Sequence, residues 1–154
     1  MRDLAEIDTV GVVGAGTMGS GIAQVAAMAG YDVVMRDVEP ELVDDGFASI
    51  DASLDRLVEG GSLSRQDADA ARDRITGTTD LGALADADYV VEAVVEESSV
   101  KREVFADLDG LVEPGVCLAT NTSTLSVTSI ANATEREPLV VGLHFMNPVP
   151  VMDG

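Results

Sequence analysis

Residues 10–21 read VGVVGAGTMGSG, an apolar run that breaks at Gly14, Gly16 and Gly19 and passes directly into the helix-like SGIAQVAAMAG. Each glycine answers a steric demand. Gly14 permits a tight turn off a strand, Gly16 lets backbone approach a pyrophosphate, and Gly19 lets the following helix pack closely on the sheet. The start of that helix offers unpaired N–H groups and a positive dipole end to phosphates, so Gly14, Ala15, Gly16, Thr17, Met18 and Gly19 form the candidate phosphate loop. A GxGxxG pattern alone is weak evidence. Here a strand pattern precedes it, a helix pattern follows, and a second strand, Tyr31–Arg36, runs into the acidic Asp37. An acidic side chain at this spacing hydrogen-bonds the adenosine ribose hydroxyls and repels a 2′-phosphate, which favours NAD over NADP. Arg36 beside it weakens the preference, because a neighbouring arginine accommodates a 2′-phosphate.

Working outward, the chain of 154 residues is expected to form one domain, 1–154, with enough length to bury a core without staples. One cysteine, Cys117, leaves no disulfide framework, which fits a reducing cytoplasm; in the strand-like VCLAT it reads as a small buried hydrophobe. The N-terminal MRDLAEIDTV lacks a basic region followed by an apolar one, and no stretch is apolar enough to span a bilayer. The net charge is −19, from 28 acidic residues against 9 basic ones, of which only Lys101 is a lysine. Such a surface repels nucleic acid and anionic membrane, so neither is expected as a partner. A hydrophobic content of 46% with clear periodicity argues against disorder. An acidic, lysine-poor surface around an ordinary core fits a salt-adapted protein, in which concentrated salt screens self-repulsion, and also an acidic protein of no special habitat; the first is the expectation.

Ile7–Val13 is a near-continuous apolar run, as expected of a strand buried on both faces. Ser20–Ala29 reads as a helix of small residues that stops at Gly30. Pro40 opens a long helix to about Glu59, with Leu42, Val43, Phe47, Ile50, Leu54, Leu57 and Val58 at helical spacing. Ser64 caps a second, polar helix in a capping-box pattern with Asp67. A strand near Ile75–Thr78, a brief helix at Asp80–Ala87 and a strand at Asp88–Val95 follow. Beyond them come a helix from Ser98 to Leu111, a strand at Val116–Thr120, a helix at Ser126–Ala131 and a last strand at Leu139–His144. The alternation predicts an α/β fold, a Rossmann-type doubly wound parallel sheet with a long helical insertion after the second strand.

Ligands of such sheets bind outside the carboxyl ends of the strands, and the polar residues of interest all fall there: the glycine loop, Asp37, Glu96, Asn121-Thr122-Ser123, and His144 with Asn147. His144 is the only histidine and the only side chain whose ordinary pKa suits proton transfer near neutrality. Its place on an apolar strand also suits a structural role. Ser123 suits a helix cap, a ligand contact, or both. Glu96 and Lys101 read as a solvated pair flanking a helix start, and Met18, Met28, Met35 and Met146 as packing residues. No metal is expected.

GAGTMGSGIAQVAAMAGYDVVMRD, VVEAVVE, NTSTLSVTSIA and GLHFMNPVPVM, in this order and spacing, resemble the N-terminal domain of L-3-hydroxyacyl-CoA dehydrogenases, and the likeness covers essentially the whole chain. The first motif is shared with many dehydrogenases, whereas NTSTLS followed by GLHFMNPVP is particular to this family. The resemblance implies NAD as cofactor, an acyl-CoA as substrate, and oxidation of its 3-hydroxyl to a ketone or the reverse. His144 matches the base that takes the hydroxyl proton, and Ser123 the serine that touches substrate and nicotinamide. Asn147, Glu96 and Lys101 match cofactor contacts, and Ser53 a serine that contacts CoA.

Two departures stand out. The family has a basic residue for the CoA phosphates seven positions after that serine, where this sequence has Gly60; Arg56 and Arg65 are the candidate substitutes. The family also continues past PVPVM into a glutamate that orients the histidine and a helical domain that dimerises and closes over the acyl chain, whereas the sequence in hand ends at Gly154. The expectation is a competent cofactor domain with incomplete catalytic machinery, with a separate helical domain as the partner that would complete it, or a homo-oligomer formed through the apolar edge left exposed. The rival readings are a non-catalytic NAD(H)-binding module and a dehydrogenase for another small hydroxy acid; the latter leaves NTSTLS and GLHFMNPVP unexplained.

Overall fold

Short apolar runs separated by connections long enough to cross a sheet favour parallel pairing. The computed structural model, which describes residues 7–93, 98–113, 116–120 and 140–142, has this form. Strands β1 (Thr9–Val13), β2 (Asp32–Arg36), β3 (Ile75–Thr78), β4 (Tyr89–Glu92), β5 (Cys117–Thr120) and β6 (Val140–Gly142) make one sheet in the order β3-β2-β1-β4-β5-β6. Every pairing is parallel, and Val13 lies in register between Arg36 and Glu92. Strand order reverses between β1 and β4. Their carboxyl ends therefore flank the crevice where doubly wound sheets bind ligands.

Helices α1 (Thr17–Met28), α2 (Pro40–Glu59), α3 (Arg65–Asp73) and α4 (Ser98–Leu111) cover the two faces. On one face, the small residues Ala23 and Ala27 of α1 lie close on Val12, Val33 and Met35, with Ile50 and Leu54 of α2 and Ala68 and Ala71 of α3 completing the core. On the other, Phe105 and Leu108 of α4 pack with Val13, Val90, Leu84 and Leu118. The pair α2 and α3 is the insertion expected between the second and third strands. Arg72 of α3 joins it together, donating from Nε to Asp51 at 2.8 Å while its guanidinium sits 3.9 Å from the centroid of the Phe47 ring.

Several expected boundaries move, each for a local reason. The strand expected from Asp88 begins at Tyr89, because the Asp88 carboxylate accepts from the N–H groups of Asp8 and Thr9 at 2.9 and 3.0 Å and ties the foot of β4 to that of β1. The expected helix at Asp80–Ala87 is a 3₁₀ turn at Leu81–Leu84, started by Asp80 accepting from the Gly82 N–H at 2.9 Å. Ser64 caps α3, accepting from the Asp67 N–H at 3.0 Å, but Asp67 is one methylene shorter than glutamate and makes no return bond among the described residues. Met28 and Leu42, expected to pack, are 37% and 41% exposed. The expected helix at Ser126–Ala131 lies outside the described residues, and of the last expected strand only Val140–Gly142 lies within them.

Candidate functional site

The polypeptide leaves β1 at Val13 and turns at Gly14, whose φ of 114° is left-handed backbone that favours glycine. The Gly14 N–H donates to the Arg36 carbonyl at 2.7 Å, which fastens the turn to the end of β2. Gly16 then caps α1. No side chain caps this helix and no acidic residue stands in its first turn, so its leading N–H groups and dipole favour an anion. Gly16 and Thr17 are exposed and Met18 half-buried. A Cβ on Gly16 would meet nothing within 4 Å, whereas one on Gly19 would overlap the carbonyl oxygen of Gly14. The first glycine leaves room for a ligand, and the second lets helix and turn touch.

Asp37, half-buried at the end of β2, reaches into this loop. Its Oδ2 accepts from the Ala15 N–H at 2.9 Å and its Oδ1 from the Val38 N–H at 2.7 Å. Each oxygen keeps further lone-pair capacity for a hydroxyl donor. Arg36 donates from Nε to the Thr79 carbonyl at 3.2 Å, which holds it toward the end of β3.

The structure thus brings together Gly14, Ala15, Gly16, Thr17, Met18, Gly19 and Asp37. Ser53 is half-buried on α2, and Lys101 belongs to α4. Glu96, Ser123, His144 and Asn147 lie outside the described residues. Of the two arginines considered for CoA, Arg65 is held by Asp55 at 2.7 Å and Asp69 at 3.5 Å, while Arg56 is exposed and without an ion pair among the described residues. Glu92 is a residue that sequence reasoning passed over: a fully buried carboxylate at the carboxyl end of β4, beside the crevice. An acid inside the apolar run YVVEAVV was the signal for it. Cys117 is buried, and burial pushes its thiol up; burial and the neighbouring Cys117 raise Tyr89 as well, so both stay neutral near pH 7. Among the described residues, no three His, Cys, Asp or Glu gather to hold a metal ion, and no helix is long and apolar enough to cross a membrane.

An unblocked helix N-terminus, an open approach at Gly16 and a carboxylate at the end of the second strand fit the pyrophosphate and ribose of NAD. Residues 9–153 match the family model described as the NAD-binding domain of 3-hydroxyacyl-CoA dehydrogenase. The chain belongs to that family. It is 44% identical over 149 residues to a 3-hydroxybutyryl-CoA dehydrogenase of Bradyrhizobium diazoefficiens, covering 97% of this chain and 51% of that protein. It is 41% identical to the 3-hydroxyadipyl-CoA dehydrogenase of Escherichia coli, over 97% of this chain and 31% of that one. The crystal structure of (S)-3-hydroxybutyryl-CoA dehydrogenase from Ralstonia eutropha superposes with a TM-score of 0.92 at 44% identity, over 96% of this chain and 52% of the other. The chain spans about half the length of the 3-hydroxybutyryl-CoA dehydrogenases it matches.

Proposed function

We propose that this chain is the cofactor-binding part of an NAD-dependent L-3-hydroxyacyl-CoA dehydrogenase, which interconverts a 3-hydroxyacyl-CoA and its 3-ketoacyl-CoA in fatty-acid metabolism. The observation that carries the reading is the bond from the Ala15 N–H to Asp37, which joins the glycine loop after β1 to the carboxylate after β2 at the carboxyl edge of the sheet. NAD, when bound, supplies the hydride acceptor. In this reading Gly14–Gly19 hold the pyrophosphate and Asp37 the adenosine ribose, with Glu96, Lys101 and Asn147 as further cofactor contacts. His144 takes the 3-hydroxyl proton, a role that contributes roughly 100- to 10,000-fold. Ser123 contacts substrate and nicotinamide, and Ser53 contacts CoA with Arg56 as the available cation. The half-length match supports a further helical part as partner, needed to orient His144 and exclude water. The cytoplasm is the proposed compartment, supported by the single free Cys117.

NADH titration by fluorescence in concentrated salt tests this. The wild-type chain is expected to bind. Asp37→Ala should lose about 10- to 100-fold in affinity, the worth of one or two hydrogen bonds to a charged group. Added acetoacetyl-CoA should give no steady NADH oxidation by the chain alone; turnover of about 1 per second or faster would refute the need for a further part. Absence of NADH binding by folded protein refutes the cofactor assignment.

The acidic surface is proposed to be an adaptation to salt. With 28 acidic against 9 basic residues, self-repulsion weakens the fold wherever it is unscreened. Raising potassium chloride from about 0.1 to 1 M shortens the Debye length from roughly 10 to 3 Å. A gain of about 2 kcal/mol is expected, seen as a melting temperature about 5 °C higher. A melting temperature that stays level or falls would contradict the adaptation.

A further inference from the structure

We propose that Gly46, inside α2, is a positioning residue for the phosphate loop: it seats the helix so closely that Ala15 is held between α2, at its carbonyl, and Asp37, at its N–H. A Cβ at Gly46 would lie 2.8 Å from the Ala15 carbonyl oxygen, 3.0 Å from its Cβ and 3.0 Å from Cε of Met35. The first of these is backbone and cannot rotate away. The Ala15 N–H, in the preceding peptide plane, is held by Asp37 at 2.9 Å. The Ala15 carbonyl shares its peptide plane with the Gly16 N–H, a donor of the candidate phosphate loop. Pushing the carbonyl swings that donor.

The helix has little freedom to retreat instead. Phe47, the next residue, closes on β3, where a Cβ at Gly77 would stand 2.5 Å from Cε2 of its ring, and Arg72 covers the ring at 3.9 Å. Ile50, one turn on, is 1% exposed. A glycine inside a helix is disfavoured by propensity, so alanine here would otherwise strengthen α2. The same helix carries Ser53, so the element proposed to reach CoA also buttresses the cofactor loop. The inference rests on the reading of that loop as the NAD site.

The test compares wild type, Gly46→Ala and Ile50→Val in concentrated salt. Ile50→Val loosens the same helix without pressing on the loop. Gly46→Ala is expected to weaken NADH binding about tenfold, the scale of a sub-ångström misplacement of positioned groups. Ile50→Val should keep affinity within about twofold, because removing a methyl group pushes on no atom of the loop. Amide exchange supplies a second readout. In Gly46→Ala the Ala15 N–H should exchange faster while the Val38 N–H, bonded to the other Asp37 oxygen, keeps its rate. Wild-type affinity in Gly46→Ala overturns the proposal, as does an equal loss in Ile50→Val. If wild type binds no NADH, the cofactor reading fails, and an unchanged Ala15 exchange rate in Gly46→Ala separately overturns the clamp.

Discussion

Gly19→Ala is expected to destabilise the protein by about 3 kcal/mol or more, at the upper end of what overpacking costs, and to abolish NADH binding with it. The methyl group would overlap the Gly14 carbonyl oxygen and stand 2.6 Å from its carbonyl carbon. Neither atom can swing aside, because Gly14 is fixed in a left-handed turn and its N–H is bonded to the Arg36 carbonyl at 2.7 Å. Relief requires α1 to lift from the end of β1. That movement separates Ile22, Ala23 and Ala27 from the sheet residues they bury. A glycine-to-alanine change inside a helix ordinarily gains about 1 kcal/mol through propensity, so the sign of the effect is diagnostic. Urea unfolding in concentrated salt should show a lower midpoint at unchanged slope. A midpoint equal to or above that of wild type would show that helix and turn do not touch here.

Features legible in the sequence are those whose cause is local. The glycine loop, Asp37 at the next strand end, and the bounds of α2, β3 and α4 all follow from signals within a few residues: Pro40, the Gly60-Gly61 stop and the periodicity of Val104, Phe105, Leu108 and Leu111. Parallel topology follows from alternation alone. What escaped is decided by residues far apart in the chain. Asp88 shortens its strand by bonding to Asp8 and Thr9, some 80 positions away. Leu42 fits the helical apolar pattern yet is exposed, because the face of α2 turned to the core is that of Val43, Phe47, Ile50 and Leu54. Gly46 carries no local signal, because its role depends on the approach of α2 to Ala15. Glu92 has a local signal, an acid inside an apolar strand, but its full burial beside the crevice depends on the packing of the sheet. Glu96, Ser123, His144 and Asn147 were legible as polar residues at expected strand ends, whereas their individual roles came only through resemblance to the family; they lie outside the described residues.

Gly16→Val should separate binding from folding: NADH affinity is expected to fall at least about 100-fold while stability changes by less than about 1 kcal/mol. Valine fits the protein, since a Cβ at position 16 meets nothing within 4 Å and the backbone there, φ −71° and ψ −166°, is extended conformation open to any residue. The bond that starts α1, from the Ser20 N–H to the Gly16 carbonyl at 2.8 Å, is made by backbone and is kept. Only the weaker capping preference of valine opposes the change. The ligand loses what the protein does not. The isopropyl group occupies the approach to the helix N-terminus and holds a pyrophosphate beyond hydrogen-bonding reach of the loop. Losing two charge-assisted bonds at about 1.5–3 kcal/mol each accounts for the drop. Parallel NADH titration and urea unfolding check both halves. Unfolding of Gly16→Val would contradict the open space at the loop, and wild-type affinity would mean that the phosphates do not pass Gly16, whereas loss of binding on an intact fold assigns that space to the cofactor.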